Sequence, residues 1–160
     1  MKTYEPVAYK FSEEAPVMPA GKYYVIDPCY VFQNADSESN STFWDDFCAF
    51  CFPVGNKGEG RNPIMATVDA LPVFIFSTAY GDGEYPVTDG KVSGTAGVDA
   101  GVLALIPKKL IDQVPKTAKL GVLVTLKENS IPKYDKGDMN CGNIWVYTND
   151  ELEEEENWDY

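Results

Sequence analysis

Residues 78–101, TAYGDGEYPVTDGKVSGTAGVDAG, hold the side chains best suited to chemistry in this chain. The stretch has six glycines and four carboxylates between two apolar runs, VFIFS and VLALIP. Carboxylates on a backbone that bends at glycine residues can bind a cation or a ligand rich in hydrogen-bond donors. Phosphate is a poor ligand here, because the stretch is acidic and lacks the G-x-x-x-x-G-K-[ST] cradle. The candidate binding residues, which we expect to share one open face, are Tyr80, Asp82, Glu84, Tyr85 and Asp99.

The same glycines also predict tight turns that need no ligand. Gly81 and Gly83 flank Asp82, and a second Asp-Gly pair follows in TDGK at residues 88–91. Glycine adopts positive φ without steric cost, so such pairs are typical of hairpin turns. The stretch is therefore either a ligand-binding loop or two tight turns, of which the first forms a hairpin or a strand corner and the second forms another hairpin.

Three aspartates lie in similar phrases beside apolar strands. Asp27 occurs in VIDPCYVF, Asp69 in TVDALPVFIF and Asp99 in GVDAGVLALI. Their carboxylates can accept backbone N–H bonds where the chain bends, or they can form a functional carboxylate cluster. The phrase VDAGVLALIP also resembles the Asp-Thr-Gly segment of retroviral-type aspartic peptidases. That chemistry needs two such aspartates, and this chain has neither a second copy nor a hydroxyl at Ala100.

Histidine is absent from the chain. The usual general base, the commonest metal ligand and the Ser-His and Cys-His pairs are therefore excluded. CAFC, at residues 48–51, has the spacing of a zinc hook, but Cys29 and Cys141 stand alone, whereas a four-cysteine site normally has two hooks. We expect the cysteines to pack as small apolar side chains, with structural zinc as the alternative. No catalytic residue, metal or cofactor is assigned.

The net charge of −12 limits the partners of this chain of 160 residues. Direct nucleic-acid binding is not expected, because it draws on clustered lysine and arginine. The charge fits a partner with a basic surface, a cation, or solubility alone. No run approaches the ~18 apolar residues that span a bilayer, and the start lacks a secretory signal. We therefore expect a cytoplasmic protein with reduced thiols and no membrane contact.

Short strands rich in β-branched and aromatic residues dominate the rest of the pattern. They are predicted within residues 21–32, 64–80, 97–107, 119–128 and 142–148. One amphipathic helix is predicted at about 42–52 and a short helix at about 107–114. The expected fold class is mainly β, a β-sandwich or a barrel-like antiparallel sheet, with the amphipathic helix packed against it.

We expect a single β-rich domain over residues 1–149 and an acidic flexible tail over residues 150–160. The tail, DELEEEENWDY, is a block of like charge that ends in two aromatic residues. Trp158 and Tyr160 form either a short docking motif flanked by steering charge or aromatics that fold back on the domain. Both residues are included among the candidate binding residues.

The phrases DPCYVF, TAYGDGEYPV and GVDAGVLALIP, in this order, resemble a loosely defined family of small uncharacterised proteins from bacteria and their phages. The resemblance covers roughly residues 21–107. It implies a β-rich fold and a phage origin, and it implies no catalytic role. A phage setting favours a small acidic protein that inhibits a host factor, sometimes by mimicking the charge of DNA.

Two classes of function follow from these observations. The first is a non-catalytic acidic protein that binds a basic host protein, such as a nucleic-acid enzyme or a defence factor, and inhibits it. The alternative is a domain that binds a small ligand or works as a carboxylate-based enzyme, centred on YGDGEY and VDAG. Carboxylates spread over one face favour the first, and carboxylates that converge in a cleft favour the second.

Overall fold

The computed structural model describes residues 4–14, 17–33, 42–51 and 61–149. These residues form two antiparallel β-sheets and a set of short helices, so the mainly-β prediction is confirmed. Within the described ranges, no helix is long and apolar enough to cross a bilayer. The acidic segment 150–160, with Trp158 and Tyr160, lies outside the described residues.

The larger sheet has six strands. They are β1 (Tyr9–Ser12), β2 (Gly21–Ile26), β3 (Ile64–Val68), β4 (Leu71–Ser77), β7 (Val102–Pro107) and β8 (Val122–Leu126). Their order across the sheet is β1-β3-β4-β7-β2-β8. The central strands β4 and β7 are fully buried over the runs VFIF and LALI, so these runs pack on both faces of the sheet. This explains why the two runs are continuously apolar and do not alternate.

The smaller sheet has five strands. They are β5 (Gly83–Thr88), β6 (Ser93–Val98), β9 (Lys133–Asp135), β10 (Asp138–Cys141) and β11 (Ile144–Val146). Their order is β6-β5-β11-β10-β9, and β11 is the central strand. Buried and exposed residues alternate along β5 and β11, because only one face of this sheet meets the protein core. The other face is turned outward.

Three helices and a 3-10 helix accompany the larger sheet. They are α1 (Cys29–Phe32), α2 (Thr42–Cys51), α3 (Lys108–Ile111) and the 3-10 helix Pro115–Leu120. The amphipathic helix predicted at 42–52 is confirmed by α2, which buries Phe43, Trp44 and Phe47. One apolar cluster joins the helices to the larger sheet, and a second lies between the two sheets. The described chain is therefore layered as helices, larger sheet, smaller sheet.

The structure differs from the predicted strand over residues 21–32. The strand ends at Ile26, and α1 follows after Asp27 and Pro28. Proline has no N–H to continue the sheet, and the Asp27 carboxylate accepts the N–H of Cys29, which favours a helical turn. The apolar residues of CYVF are then buried by the helix and not by a strand.

Two further boundaries differ from the sequence prediction. The predicted strand over 97–107 is two strands, since β6 ends at Val98 and β7 begins at Val102 after a glycine turn. The helix predicted at 107–114 is limited to α3, since Pro107 still belongs to β7 and the helix ends at Ile111. The strands β1, β9 and β10 have only three or four residues each, and their sequences carry little strand signal.

Candidate functional site

Asp27, directly after β2, joins two of the motifs singled out in the sequence. Its side chain is fully buried. Oδ1 accepts the N–H of Cys29 at 2.9 Å, and Oδ2 accepts the N–H groups of Asp99 and Ala100 at 2.7 and 2.8 Å. Burial raises the pKa of the Asp27 carboxyl, and these N–H donors oppose that rise. The carboxyl therefore holds the VDAG turn against the DPCY turn.

Tyr30 adds a second link between the same two turns. Its hydroxyl donates to Oδ2 of Asp99 at 2.5 Å. Burial raises the pKa of Tyr30, and the bond to the Asp99 carboxylate raises it further. The phenol is therefore protonated and donates at neutral pH. Asp99 itself lies exposed at the end of β6.

The thiol of Cys29 lies beside these carboxylates, but its environment makes it inert. Burial raises the pKa of Cys29 most, and the charges of Asp27, Asp99 and Asp82 raise it further. A thiol that stays protonated is neither a nucleophile nor a metal ligand. Among the described residues, no group of three or more Cys, Asp or Glu side chains is arranged to hold a metal ion.

The other cysteines are also packed into the fold. Cys51 and Cys141 are buried and Cys48 is half-buried, and all of them are free thiols. Burial raises the pKa of each, to about 11 for Cys141. Cys48 and Cys51 belong to the apolar cluster between α2 and the larger sheet. This placement matches the expectation that the cysteines pack as small apolar side chains.

The YGDG motif forms a turn that leads into β5. Gly81 has φ +73°, a left-handed conformation that favours glycine, and its carbonyl accepts the Thr78 hydroxyl at 2.6 Å. The Thr78 N–H donates to the carbonyl of Gly101 at 3.1 Å, which ties this turn to the VDAG turn. The DPCY, YGDG and VDAG motifs therefore meet at one place in the fold.

The five candidate residues of this region do not all share one open face. Asp82, Glu84 and Asp99 are exposed, and Tyr80 is 45% exposed, with its hydroxyl 3.3 Å from Oδ1 of Asn149. Tyr85 lies on the opposite side of β5 from Glu84 and is buried between the sheets. Its hydroxyl donates to the carbonyl of Gly81 at 3.1 Å. Tyr85 thus supports the turn from inside the core.

Asp69 confirms the turn-bracing interpretation that Asp27 also supports. Its Oδ1 accepts the N–H groups of Val7 and Ala8, each at 2.8 Å, and Oδ2 accepts the Tyr4 hydroxyl. The hydrogen bond from Tyr4 is the main reason that the pKa of Asp69 is lowered. Asp27 and Asp69 therefore accept backbone N–H bonds, whereas Asp99 accepts a phenol.

Asp89 is a fourth bracing aspartate, one that the sequence analysis did not single out. It is buried, and it accepts the N–H groups of Lys91, Val92 and Thr125 at 2.8–2.9 Å. Burial alone would raise the pKa of Asp89, but these donors outweigh it, so the pKa is lowered. The Asp-Gly pair did predict the β5–β6 hairpin turn. The bond to Thr125 joins that turn to β8 and has no local sequence signal.

Five carboxylates gather at one end of the smaller sheet. The start of β5 pairs with the end of β6, and the start of β10 pairs with the end of β9 and lies beside the end of β11. The chain leaving β11 runs along β5 toward the start of that strand, since Val146 pairs with Val87 and the Tyr147 N–H donates to the carbonyl of Pro86. We call this group the acidic edge; its members are Asp82, Glu84, Asp99, Asp135 and Asp138. Asp82 precedes β5 and Asp99 follows β6, while the other three belong to strands. The last described residue, Asn149, is bound here through its N–H to Asp138 at 2.9 Å.

The acidic edge has little internal compensation for its charge. Within the described residues, none of its five carboxylates forms an ion pair with a lysine or arginine. Lys136 lies in the turn between β9 and β10 at the same end, but it is exposed and makes no ion pair with them. The arrangement concentrates negative potential on one exposed border of the fold.

Sequence reasoning missed Asp135, Asp138 and Trp145 as surface residues of interest. The alternation in NIWVY does carry a signal, since it places Ile144 and Val146 inside and Trp145 outside. Asp135 and Asp138 carry no such signal, because the register of two very short strands decides where they lie. Trp158 and Tyr160 lie outside the described residues.

Comparison with known protein families, with curated proteins and with solved structures returns no match to this chain.

Proposed function

We propose that this protein is a non-catalytic acidic interaction protein that binds a partner with a basic surface through the acidic edge. The observation that carries the proposal is the gathering of five carboxylates at one sheet end without an ion-paired cation among the described residues. Carboxylates along one border of a sheet add up to a negative potential that attracts a cationic partner. The net charge of −12 extends the attraction to longer range and speeds the encounter.

The chemistry of the neighbouring groups supports binding over catalysis. Both oxygens of Asp27 are occupied by backbone N–H donors, and Asp99 is held by Tyr30. The Cys29 thiol has a raised pKa and is buried. These groups stabilise turns, and the exposed carboxylates Asp82 and Glu84 lie on the border of a sheet. This arrangement favours a charged docking surface over the alternative of a carboxylate-based enzyme.

The proposal extends to the class of partner. A nucleic-acid enzyme or a defence factor has a basic groove that normally receives phosphates, and a row of carboxylates can occupy such a groove. The protein would then act as an inhibitor in the cytoplasm of a bacterial host, as a phage-encoded protein would. This part of the proposal rests on charge and on the motif resemblance described above.

Affinity purification with matched charge variants tests the proposal. Bait proteins are the wild type, the edge variant Asp82→Asn/Glu84→Gln and the control variant Glu14→Gln/Glu128→Gln. Each variant removes two exposed carboxylates, and the control pair lies outside the acidic edge. We expect a basic protein from host lysate to bind the wild type and the control at low salt, and to be lost from the edge variant.

Two results would refute the proposal. One is that no protein is retained at low salt by the wild type. The other is that the edge variant and the control variant retain the same partner equally well. Salt should release the genuine partner, because exposed charges are screened beyond a Debye length of ~8–10 Å near physiological ionic strength.

A further inference from the structure

The outward face of the smaller sheet carries two aromatic rings at its centre. Trp145 is 42% exposed, while its neighbours Ile144 and Val146 are buried. The Trp145 and Tyr147 ring planes are within 5° of parallel, with centroids 5.8 Å apart. A large aromatic residue exposed in the middle of a sheet face loses the favourable burial that it would have in a core. An exposed tryptophan stacked on a tyrosine offers a flat aromatic surface of the kind that is enriched at protein interfaces.

Polar and charged neighbours surround the Trp145 side of this pair. Asn140 is the cross-strand partner of Trp145 on β10, and Thr88 is its partner on β5. A cleft of about 430 Å³ opens beside the indole. Its lining residues come from β9, β10 and β11, and they are Lys133, Tyr134, Asp135, Asp138, Met139, Asn140 and Trp145.

Asp138 is held in a fixed position in this cleft. Its Oδ1 accepts the N–H groups of Thr148 and Asn149 at 2.8 and 2.9 Å. Within the described residues, no hydrogen bond reaches its Oδ2. Asp135 is the cross-strand partner of Asp138 and is exposed. Two carboxylates therefore stand next to one another beside the exposed indole, and one of them is already oriented by the backbone.

We propose that this cleft receives an arginine side chain of the basic partner; the inference rests on the proposed function and names the group that the partner contributes. A guanidinium is planar, so it stacks on an indole face, and its fork of N–H donors matches a carboxylate. The indole of Trp145 supplies the face, and Asp138 and Asp135 supply the acceptors. A lysine ammonium can satisfy the carboxylates as a point charge, but it lacks the stacking surface.

Lys133 is the group in the cleft that opposes this binding. It is exposed and lies across from Asn140 in the register, on the same row as Trp145. Its ammonium repels an incoming guanidinium and competes for the two carboxylates. Removal of this charge is therefore expected to strengthen the binding of an arginine, while removal of Trp145 weakens it.

Two synthetic peptides, one of alternating arginine and glycine and one of alternating lysine and glycine, test the inference by calorimetric titration. We expect the wild type to bind the arginine peptide about five- to thirty-fold more tightly, which corresponds to one stacked cation. Trp145→Ala should remove this preference, and Trp145→Phe should keep part of it. Lys133→Gln should tighten arginine binding. Ile131→Ala is the control, since it removes an apolar side chain that is 54% exposed and lies outside the cleft.

Each remaining outcome contradicts the inference in a distinct way. If the two peptides bind with equal affinity, and Trp145→Ala does not change that affinity, the cleft does not select arginine. The proposal that the protein is an acidic interaction protein is then unaffected. Binding of neither peptide at low salt overturns both. If a neutral oligosaccharide binds in a way that depends on Trp145 while the arginine peptide does not, the face is a glycan site and the inference is wrong. Thermal unfolding of each variant shows that a loss of binding is not a loss of the fold.

Discussion

Asp27 and Asp99 are 72 residues apart in the sequence, and the carboxylate of Asp27 accepts the backbone N–H of Asp99 at 2.7 Å. This bond joins the end of β2 to the turn that follows β6, so it connects the larger sheet to the smaller one. Asp99 then reaches back to Tyr30 through its own carboxylate. The buried Asp27 thus positions the exposed Asp99, which belongs to the acidic edge.

The first prediction concerns the different roles of buried and exposed aspartates. Asp27→Ala removes the acceptor for three N–H groups and should lower the free energy of unfolding by about 2–4 kcal/mol. Asp82→Ala removes an exposed carboxylate and should change it by less than about 0.5 kcal/mol. Urea unfolding of both variants checks the contrast. Equal stability losses would show that the two carboxylates do not have separate structural and surface roles.

The second prediction concerns the link between Tyr30 and Asp99. Tyr30→Phe removes the donor of the 2.5 Å bond and should cost about 1–3 kcal/mol, because the acceptor is ionised. Tyr24→Phe is the matched control, since Tyr24 is half-buried and its hydroxyl has no hydrogen-bond partner among the described residues. We expect the control to cost only a few tenths of a kcal/mol. A Tyr30 variant as stable as the control would contradict the proposed brace.

The third prediction is a dependence of stability on pH. The pKa of Asp89 is lowered in the folded protein, so its stabilisation is present above the ordinary value of 3.8 and is lost as the pH falls through the folded pKa. Asp69 acts in the same direction. Asp27 acts in the opposite direction. Because its pKa is raised in the folded protein, its contribution to the stability of the fold is largest at low pH and decreases as the pH rises through the folded pKa.

Asp89→Asn isolates this effect. The variant should be less stable than the wild type near neutral pH, and the difference should shrink as the pH is lowered below 3.8. Urea titrations between about pH 2 and pH 7 measure the difference directly. A difference that stays constant over the acid range would mean that the charge of Asp89 does not stabilise the fold.

The fourth prediction concerns thiol reactivity. Burial and neighbouring carboxylates raise the pKa of Cys29, and burial raises the pKa of Cys141 to about 11. At about pH 8 both thiols should react with iodoacetamide more than a hundredfold more slowly than a free cysteine, because little thiolate forms and access needs opening of the fold. Mass spectrometry of the alkylated peptides reports each site. Fast modification of Cys29 in the folded protein would contradict this prediction and show that the thiol can act as a nucleophile.

Local sequence patterns were sufficient for much of the fold. The alternation in NIWVY predicts a strand with one buried face, and the Asp-Gly pair at Asp89 predicts the β5–β6 turn, but β5 itself is not among the predicted strands. The apolar spacing around Phe43 and Phe47 predicts α2. These features depend on neighbours within a few residues, so a single sequence carries the information for them.

The site depended on contacts that the sequence does not display. Asp27, Asp82 and Asp99 lie near one another only because the ends of β2 and β6 lie near the start of β5, and that arrangement follows from strand order and register. Asp135 and Asp138 enter the acidic edge through strands of three and four residues, too short for a periodic pattern. The burial of Tyr85 shows the same limit, since YGDGEY by itself does not reveal which side of β5 faces the core.

The association rate at different salt concentrations tests the acidic edge most directly. Stopped-flow mixing with the lysine–glycine peptide measures this rate for the wild type, for Asp82→Asn/Glu84→Gln and for Glu14→Gln/Glu128→Gln. We predict that the wild-type and control rates fall about tenfold between roughly 10 mM and 150 mM salt, whereas the edge variant starts slower and falls less. Identical rates and salt slopes for the edge variant and the control would contradict the central claim.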